Sequence, residues 1–463
     1  MALKVTLINP PQANHYPQPP MGLAQLAAVA EQAGHKVTMV DLNALGTPPA
    51  LSSLVENADV IGLTAMTPTI GAAVKLAREL KRARGDILII LGGPHATLLP
   101  EETLKSTPEI DIIVRGEGED SLLELLSALE NHRPLGQVAG ISYRQDGNII
   151  SNPGSNNAID LDKLPFLAYH LLPTRRYRPH PPHGRALPFA AVITSRGCPY
   201  HCSYCSKPVT GVKFRGQSPE RVLDEIEHLI KRFGIRELAF YDDVFTMDKK
   251  RAAAIAEGII TRRLKLQWTC ETRVNLVDPE LLRLLKKAGC YAIAYGIESA
   301  SPEILATIDK NISPEQVVKA ISMTRQTGIQ TVGYFMIGSP GETPATIQQT
   351  ISFAKRLKLD FAQFAITTPF PGTELYRRYL KDHDNETAVW EDFIYAGAGG
   401  RLAPVFESAG LRRADLIDWM KKAYRRFYLR PSYVWQRLTA VRSPGDLIVD
   451  LKGFNMLISS LRA

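Results

Sequence analysis

Over residues 1–140, short apolar runs alternate with stretches whose apolar positions recur every three or four residues. The runs at 5–8, 36–40, 60–63, 87–91 and 111–114 predict five strands. The spacing predicts helices over 23–34, 70–84 and 121–130, with a shorter one over 100–106. Strand–helix alternation with strands this short predicts an open, Rossmann-like parallel sheet. The pattern lapses at 141. A small hairpin is expected over 143–150 around Asp146-Gly147, and prolines then interrupt every period up to 187, as in an extended surface linker. From 188 the alternation resumes, with strands at 189–194, 237–241, 266–271, 291–296, 331–337 and 361–367. Helices are expected at 218–233, 248–262, 279–288, 314–327 and 344–355. Pro219, Pro279, Pro314 and Pro344 sit near helix starts, and Ser218, Asp278 and Ser313 are placed as N-caps. Six such repeats predict a partial (β/α)6 barrel of the TIM type, whose functional groups belong at the carboxyl ends of its strands. Beyond 385 come an aromatic segment at 390–395, a Gly-rich turn at 397–400 and amphipathic helices over 414–427 and 432–441. The expected fold is therefore α/β throughout. Its parts are a domain over 1–140, a linker over 141–187, a barrel over 188–384 and a small helical region over 385–463.

Composition narrows this little. Charged residues at 22% and apolar residues at 45% are ordinary for a globular chain. The start runs directly into a strand pattern, so neither a signal peptide nor a membrane span is expected. Five cysteines, three of them clustered, form no disulfide framework and suit a reducing cytoplasm. The net charge of +8 is unevenly placed, with seven Lys or Arg and no Asp or Glu from 421 to 442. That excess is either a solvated helix face or a meeting point for an acidic partner or a membrane surface.

The clustered cysteines are Cys198, Cys202 and Cys205, directly after the apolar run at 189–193. Three thiolates at CxxxCxxC spacing can hold three corners of an iron–sulfur cubane, leaving one iron open to a small molecule. A structural zinc site would need a fourth ligand, and Cys270 and Cys290 lie far downstream without paired spacing. The loop, including Tyr204 before its last cysteine, resembles the signature of radical S-adenosylmethionine (SAM) enzymes. The polar strand ends that follow are similar to that family's. The resemblance implies a 4Fe–4S cluster on the three cysteines. It places Asp242 or Asp243 at the SAM amino group, and Glu271, Arg273, Glu298 and Ser299 around its carboxylate and ribose. Gly338, Pro340 and Gly341 would border its adenine.

The first domain carries a matching set of strand ends: Asn9-Pro-Pro11, Thr64-Ala-Met66-Thr67, Gly92-Gly93-Pro-His95 and Arg115-Gly116-Glu117-Gly118-Glu119. Ligands of open sheets bind at such ends, where glycines admit a flat molecule. With Pro20-Met21-Gly-Leu23, these motifs resemble the cobalamin-binding domain of class B radical SAM methyltransferases, whose relatives include magnesium-protoporphyrin cyclases and hopanoid methylases. Cobalamin would meet Pro11, Met21, Thr64, Met66, Thr67, Gly92, Gly93, His95, Gly116, Glu117 and Gly118. No DxHxxG motif is present, so His95 reads as a loop residue near the corrin rather than a cobalt ligand.

The activity implied is transfer of a methyl group from SAM, by way of methylcobalamin, to an unactivated carbon of a peptide or protein residue or a bulky apolar metabolite. The alternative is cyclisation or carbon–carbon coupling on a tetrapyrrole or isoprenoid lipid, with or without cobalamin. A flavodoxin or ferredoxin would supply electrons. No nucleic acid partner is expected, and the tail could touch a membrane or close the barrel mouth over substrate. No side chain is assigned a catalytic role.

Overall fold

The computed structural model describes residues 2–12, 17–45, 49–154, 159–179, 186–382, 405–407, 411–440 and 453–454. It divides into two compact units. The first runs to Tyr177 and includes Ser206–Lys213, and the second holds Arg178–Cys205 and the described residues from Phe214 onward.

In the first unit, strands β1 (Lys4–Asn9), β2 (Lys36–Asp41), β3 (Val60–Thr64), β4 (Leu88–Gly92) and β5 (Ile112–Val114) are parallel in the order 2-1-3-4-5. β6 (Ile141–Gln145) and β7 (Asn148–Ser151) extend the sheet antiparallel beyond β5. Apolar cores cover both faces: Ile8, Ile61, Ile89 and Leu91 point to one, and Val5, Leu7, Val60, Ile90 and Val114 to the other. Burial on both faces explains why these strands read as continuous apolar runs rather than alternating ones.

The expected linker is not one up to Tyr177. The hairpin turns at Asp146-Gly147, both at positive φ, and its first strand completes the hydrogen bonding of β5. The proline-rich stretch after it buries Ala168, Tyr169, Leu172 and Tyr177. Its few large apolar residues pack as anchors without any period. His180 and His183, the histidines of the proline-rich run that ends the expected linker, lie outside the described residues.

In the second unit, β8 (Phe189–Val192), β11 (Glu237–Phe240), β12 (Gln267–Thr272), β13 (Cys290–Glu298), β14 (Gln330–Ile337) and β15 (Phe361–Ile366) form a parallel sheet in sequence order. The short pair β9 (Ser195–Arg196) and β10 (Arg215–Gly216) is antiparallel. The expected N-caps are made: Ser218, Asp278 and Ser313 side chains accept from the amides of Arg221, Leu281 and Gln316. The tail forms helices Arg413–Tyr428 and Pro431–Ala440, while the aromatic segment at 390–395 and the turn at 397–400 lie outside the described residues.

Candidate active site

The cysteine loop leaves β9 and returns through β10, so antiparallel pairing at its base sets where it starts and stops. Its entry is braced from beneath. Asp242, fully buried at the end of β11, accepts from the Thr194 amide (3.1 Å) and hydroxyl (2.9 Å) and from the Ser195 hydroxyl. Arg251 donates to the Thr194 carbonyl and to the Gln217 carbonyl on the far side of the loop. Burial raises the Asp242 pKa, and Arg251 and the hydroxyls oppose that. Asp242 thus spends its acceptors on the loop's foundation. Its neighbour Asp243 is exposed, and lies near enough to Glu271 to help raise that carboxyl's pKa after burial itself.

Among the three cysteines, Cys202 is buried, Cys198 half-buried and Cys205 exposed. Among the described residues no three His, Cys, Asp or Glu side chains converge on a single metal-ion position. The loop's middle is pinned by backbone: the Ser203 amide donates to the Ile308 carbonyl, and the Ser203 carbonyl accepts from the Leu375 amide, both at 3.0 Å.

Arg273, at the end of β12, is buried with its guanidinium 3.7 Å above the Tyr200 ring. It donates from Nη1 to Cys202 Sγ (3.5 Å) and from Nη2 to the Lys310 carbonyl, while Nε is buried with no partner. An orphaned donor on a buried cation beside a thiol is costly unless a bound anion completes it. The residues present fit a cluster with an anionic ligand.

Glu298 ends β13 at φ +65°, a conformation that turns its carboxylate back toward the cysteine loop. Oε1 accepts from Tyr204 Oη (2.9 Å) and Lys310 Nζ (2.7 Å), and Lys310 also reaches Tyr204 Oη at 3.0 Å. Both ends of this ion pair are buried. Burial first, then Glu298, pushes the Tyr204 phenol well above its ordinary range. Lys310 is the main residue that sequence reasoning missed. It sits twelve positions past Glu298, and nothing in its local pattern marks it.

The remaining second-unit candidates divide. Glu271 accepts from Tyr334 Oη at 3.0 Å. Ser299 turns inward, 3.2 Å from the Thr350 hydroxyl and accepting from the Ser301 amide, so it fastens the strand end to the next helix. Gly338 and Gly341 hold φ of +86° and +79° in a turn closed by Glu342, whose Oε2 accepts the Gly338 and Ser339 amides at 2.5 and 3.0 Å. Burial lifts Glu342 to about 7. Pro340 and Gly341 remain at least partly open to solvent. Leu416 covers Gly338 so closely that a Cβ there would come within 3.0 Å of it. Tyr424, Phe427, Tyr428 and Tyr433 pack against β15.

In the first unit, the ends of β1, β3, β4 and β5 flank the point where strand order reverses, the crevice in which open sheets bind ligands. Gly93, at φ +96°, could carry no Cβ, which would meet Ala65 O and Thr64 Oγ1 at 2.8 Å. Met66 stands 37% exposed, an apolar contact left open at a strand end, and Pro11 is exposed too. Thr64 and Met21 are half-buried. Gly116 turns at φ +71° with its amide donating to Thr97 Oγ1, and Glu117 precedes the helix Gly118–Glu130. Gly92 and Gly118 pack against Val114. His95 faces inward. It is 1% exposed, Nδ1 lies 3.2 Å from Thr67 Oγ1, and burial lowers its pKa to about 4, so it braces the turn with Thr67 from inside. A further network was not foreseen: Asp41 accepts from Asn9 and Tyr177, and Asn43 donates to the Pro10 carbonyl, shaping the Asn-Pro-Pro turn.

Comparison with known proteins agrees with both units. Residues 192–354 match the model of the radical SAM superfamily, and 15–126 match that of the B12 binding domain. A protein of Pyrococcus horikoshii named as an uncharacterized methyltransferase is 35% identical over 441 residues, 93% of each chain. The anaerobic magnesium-protoporphyrin IX monomethyl ester cyclase of Rubrivivax gelatinosus is 31% identical over 90% of this chain and 75% of its own. Among solved structures, the radical SAM methyltransferase TsrM of Kitasatospora setae, with cobalamin and a 4Fe–4S cluster bound, shares the fold. Its TM-score is 0.73 at 20% identity, over 93% of this chain and 90% of that one.

Proposed function

The chain belongs to the cobalamin-dependent radical SAM enzymes, a family of methyltransferases with cyclase relatives, and we propose that it transfers a methyl group from SAM to an unactivated carbon of a bulky apolar metabolite or of a peptide or protein residue. Its cofactors are a 4Fe–4S cluster, SAM and cobalamin. When bound, these supply one-electron cleavage of SAM and a carrier for the methyl group.

The observation that carries this reading is the wiring of a three-thiol loop to two strand ends, Cys202 to Arg273 and Tyr204 to Glu298 and Lys310. Cys198, Cys202 and Cys205 would hold the cluster. The Arg273 N–H at the Cys202 sulfur would draw electron density from it, a known lever on cluster potential. Arg273 and Lys310 are the cations at hand for the SAM carboxylate. Asp243 and Glu271 are the carboxylates at hand for its ammonium and ribose hydroxyls. The Gly338–Gly341 turn, held by Glu342, would meet the adenine with backbone. The corrin would lie on the Thr64–Met66 and Gly92–Gly93 turns. A flavodoxin or ferredoxin is the electron donor this chemistry requires.

The test is anaerobic reconstitution with iron, sulfide and hydroxocobalamin, followed by metal analysis and turnover with methyl-labelled SAM. One cobalt beside about four irons per chain, with label passing to protein-bound cobalamin, supports the proposal. Iron without cobalt overturns it. The length of the match to the Rubrivivax gelatinosus cyclase would then favour ring formation as the second reading.

A further inference from the structure

The two C-terminal helices have one face engaged and one face open. On the inner face, Tyr424 Oη donates to the Phe364 carbonyl (3.1 Å) and accepts its amide (3.2 Å). Tyr428 does the same at Ala362 (2.8 and 2.9 Å), and Tyr433 donates to the Asp360 carbonyl. The helices are therefore fastened to β15 and hold their outer face in a set orientation.

On that outer side Leu429, Val434, Trp435 and Leu438 stand 48%, 48%, 70% and 63% exposed. They are four of the ten large apolar residues exposed among the described residues, gathered between 429 and 438. Single exposures need no explanation, whereas a cluster marks a surface with a partner. Val434, Trp435 and Leu438 share one side of the helix Pro431–Ala440. The chain here is rich in base: 421–442 holds seven Lys or Arg and no acid, although Arg437 turns inward to Asp360 and the exposed Asp418 lies one turn before Lys421 and Lys422. Arg425 is exposed, and neither it nor Lys421 has an acidic partner among the described residues.

We propose that this face docks on an anionic phospholipid surface, with Trp435, Leu438 and Val434 entering the headgroup boundary and Lys421 and Arg425 meeting acidic headgroups. Indole and leucine side chains on one side of a helix, with lysine and arginine on the helix that precedes it, suit that boundary. No described helix is long and apolar enough to cross a membrane, so the contact is peripheral. A second copy of the chain is the competing occupant, but it would bring two basic faces together. The inference is independent of which carbon the enzyme modifies.

The test uses the full chain without added cofactors, floated with vesicles of phosphatidylcholine alone and of phosphatidylcholine with phosphatidylglycerol. Flotation only with the anionic vesicles, weakened by salt, is expected. Trp435→Ser with Leu438→Ser should reduce it about tenfold or more, and Arg425→Ala roughly fivefold. Because these side chains lie outside the core, the variants should keep the parent's melting temperature. Failure to float with either vesicle, or flotation unchanged in the double variant, overturns the proposal. Concentration-dependent self-association lost in that variant also overturns it, and assigns the face to a second copy.

Discussion

At the residue scale, position in a motif is a poor guide to what a charged side chain does. Asp242 and Asp243 are adjacent, yet one is sealed beneath the cysteine loop and the other opens to solvent, because successive residues at a strand end face opposite ways. Lys310 had no signature, and only the return of the chain past Glu298 makes it a partner. Replacing it by methionine leaves the Glu298 carboxylate buried without its cation. Lys310→Met should therefore lose about 3–5 kcal/mol in urea unfolding, and Glu298→Gln in the same chain should restore part of that. Glu342 offers a pH test. Its folded value of about 7 lies above its ordinary 4.5, so its contribution is fully present below pH 4.5 and is lost as pH rises to 7. That one contribution is on the order of 3 kcal/mol, so over that window Glu342→Gln should lose markedly less stability than wild type when both are unfolded in urea.

At the scale of elements, periodicity was legible and pairing was not. All eleven expected strands of the two sheets form, because apolar runs bounded by glycine and proline have few other ways to bury themselves. The tail shows the difference. Its tyrosines were legible as packing, but the backbone groups they satisfy belong to an edge strand some sixty to seventy residues away. An exposed strand edge invites pairing with another chain, and here phenol hydroxyls cap it. Tyr424→Phe with Tyr428→Phe should therefore cost about 1–3 kcal/mol per site. It should also raise self-association in size-exclusion chromatography at high protein concentration.

At the scale of the whole molecule, the first unit ends near Tyr177 rather than at 140. A fragment covering 1–140 would leave β5 without β6 and Asp41 without Tyr177, whereas 1–177 keeps both. The longer fragment should be soluble with α/β circular dichroism, and the shorter should aggregate. The sequence by itself determined the class of fold, the six-strand barrel, the cluster loop and the glycine-rich strand ends. These depend on local periodicity, and on residue types such as Gly93 that no other side chain can replace. Only the tertiary structure decided which carboxylate braces the loop and which is exposed, that His95 faces inward, that Lys310 completes the Glu298 site, and that the tail caps β15. Each of those depends on groups far apart in the chain meeting where water is excluded. There an unpaired charge or amide is too costly to leave, and local pattern carries no record of the partner.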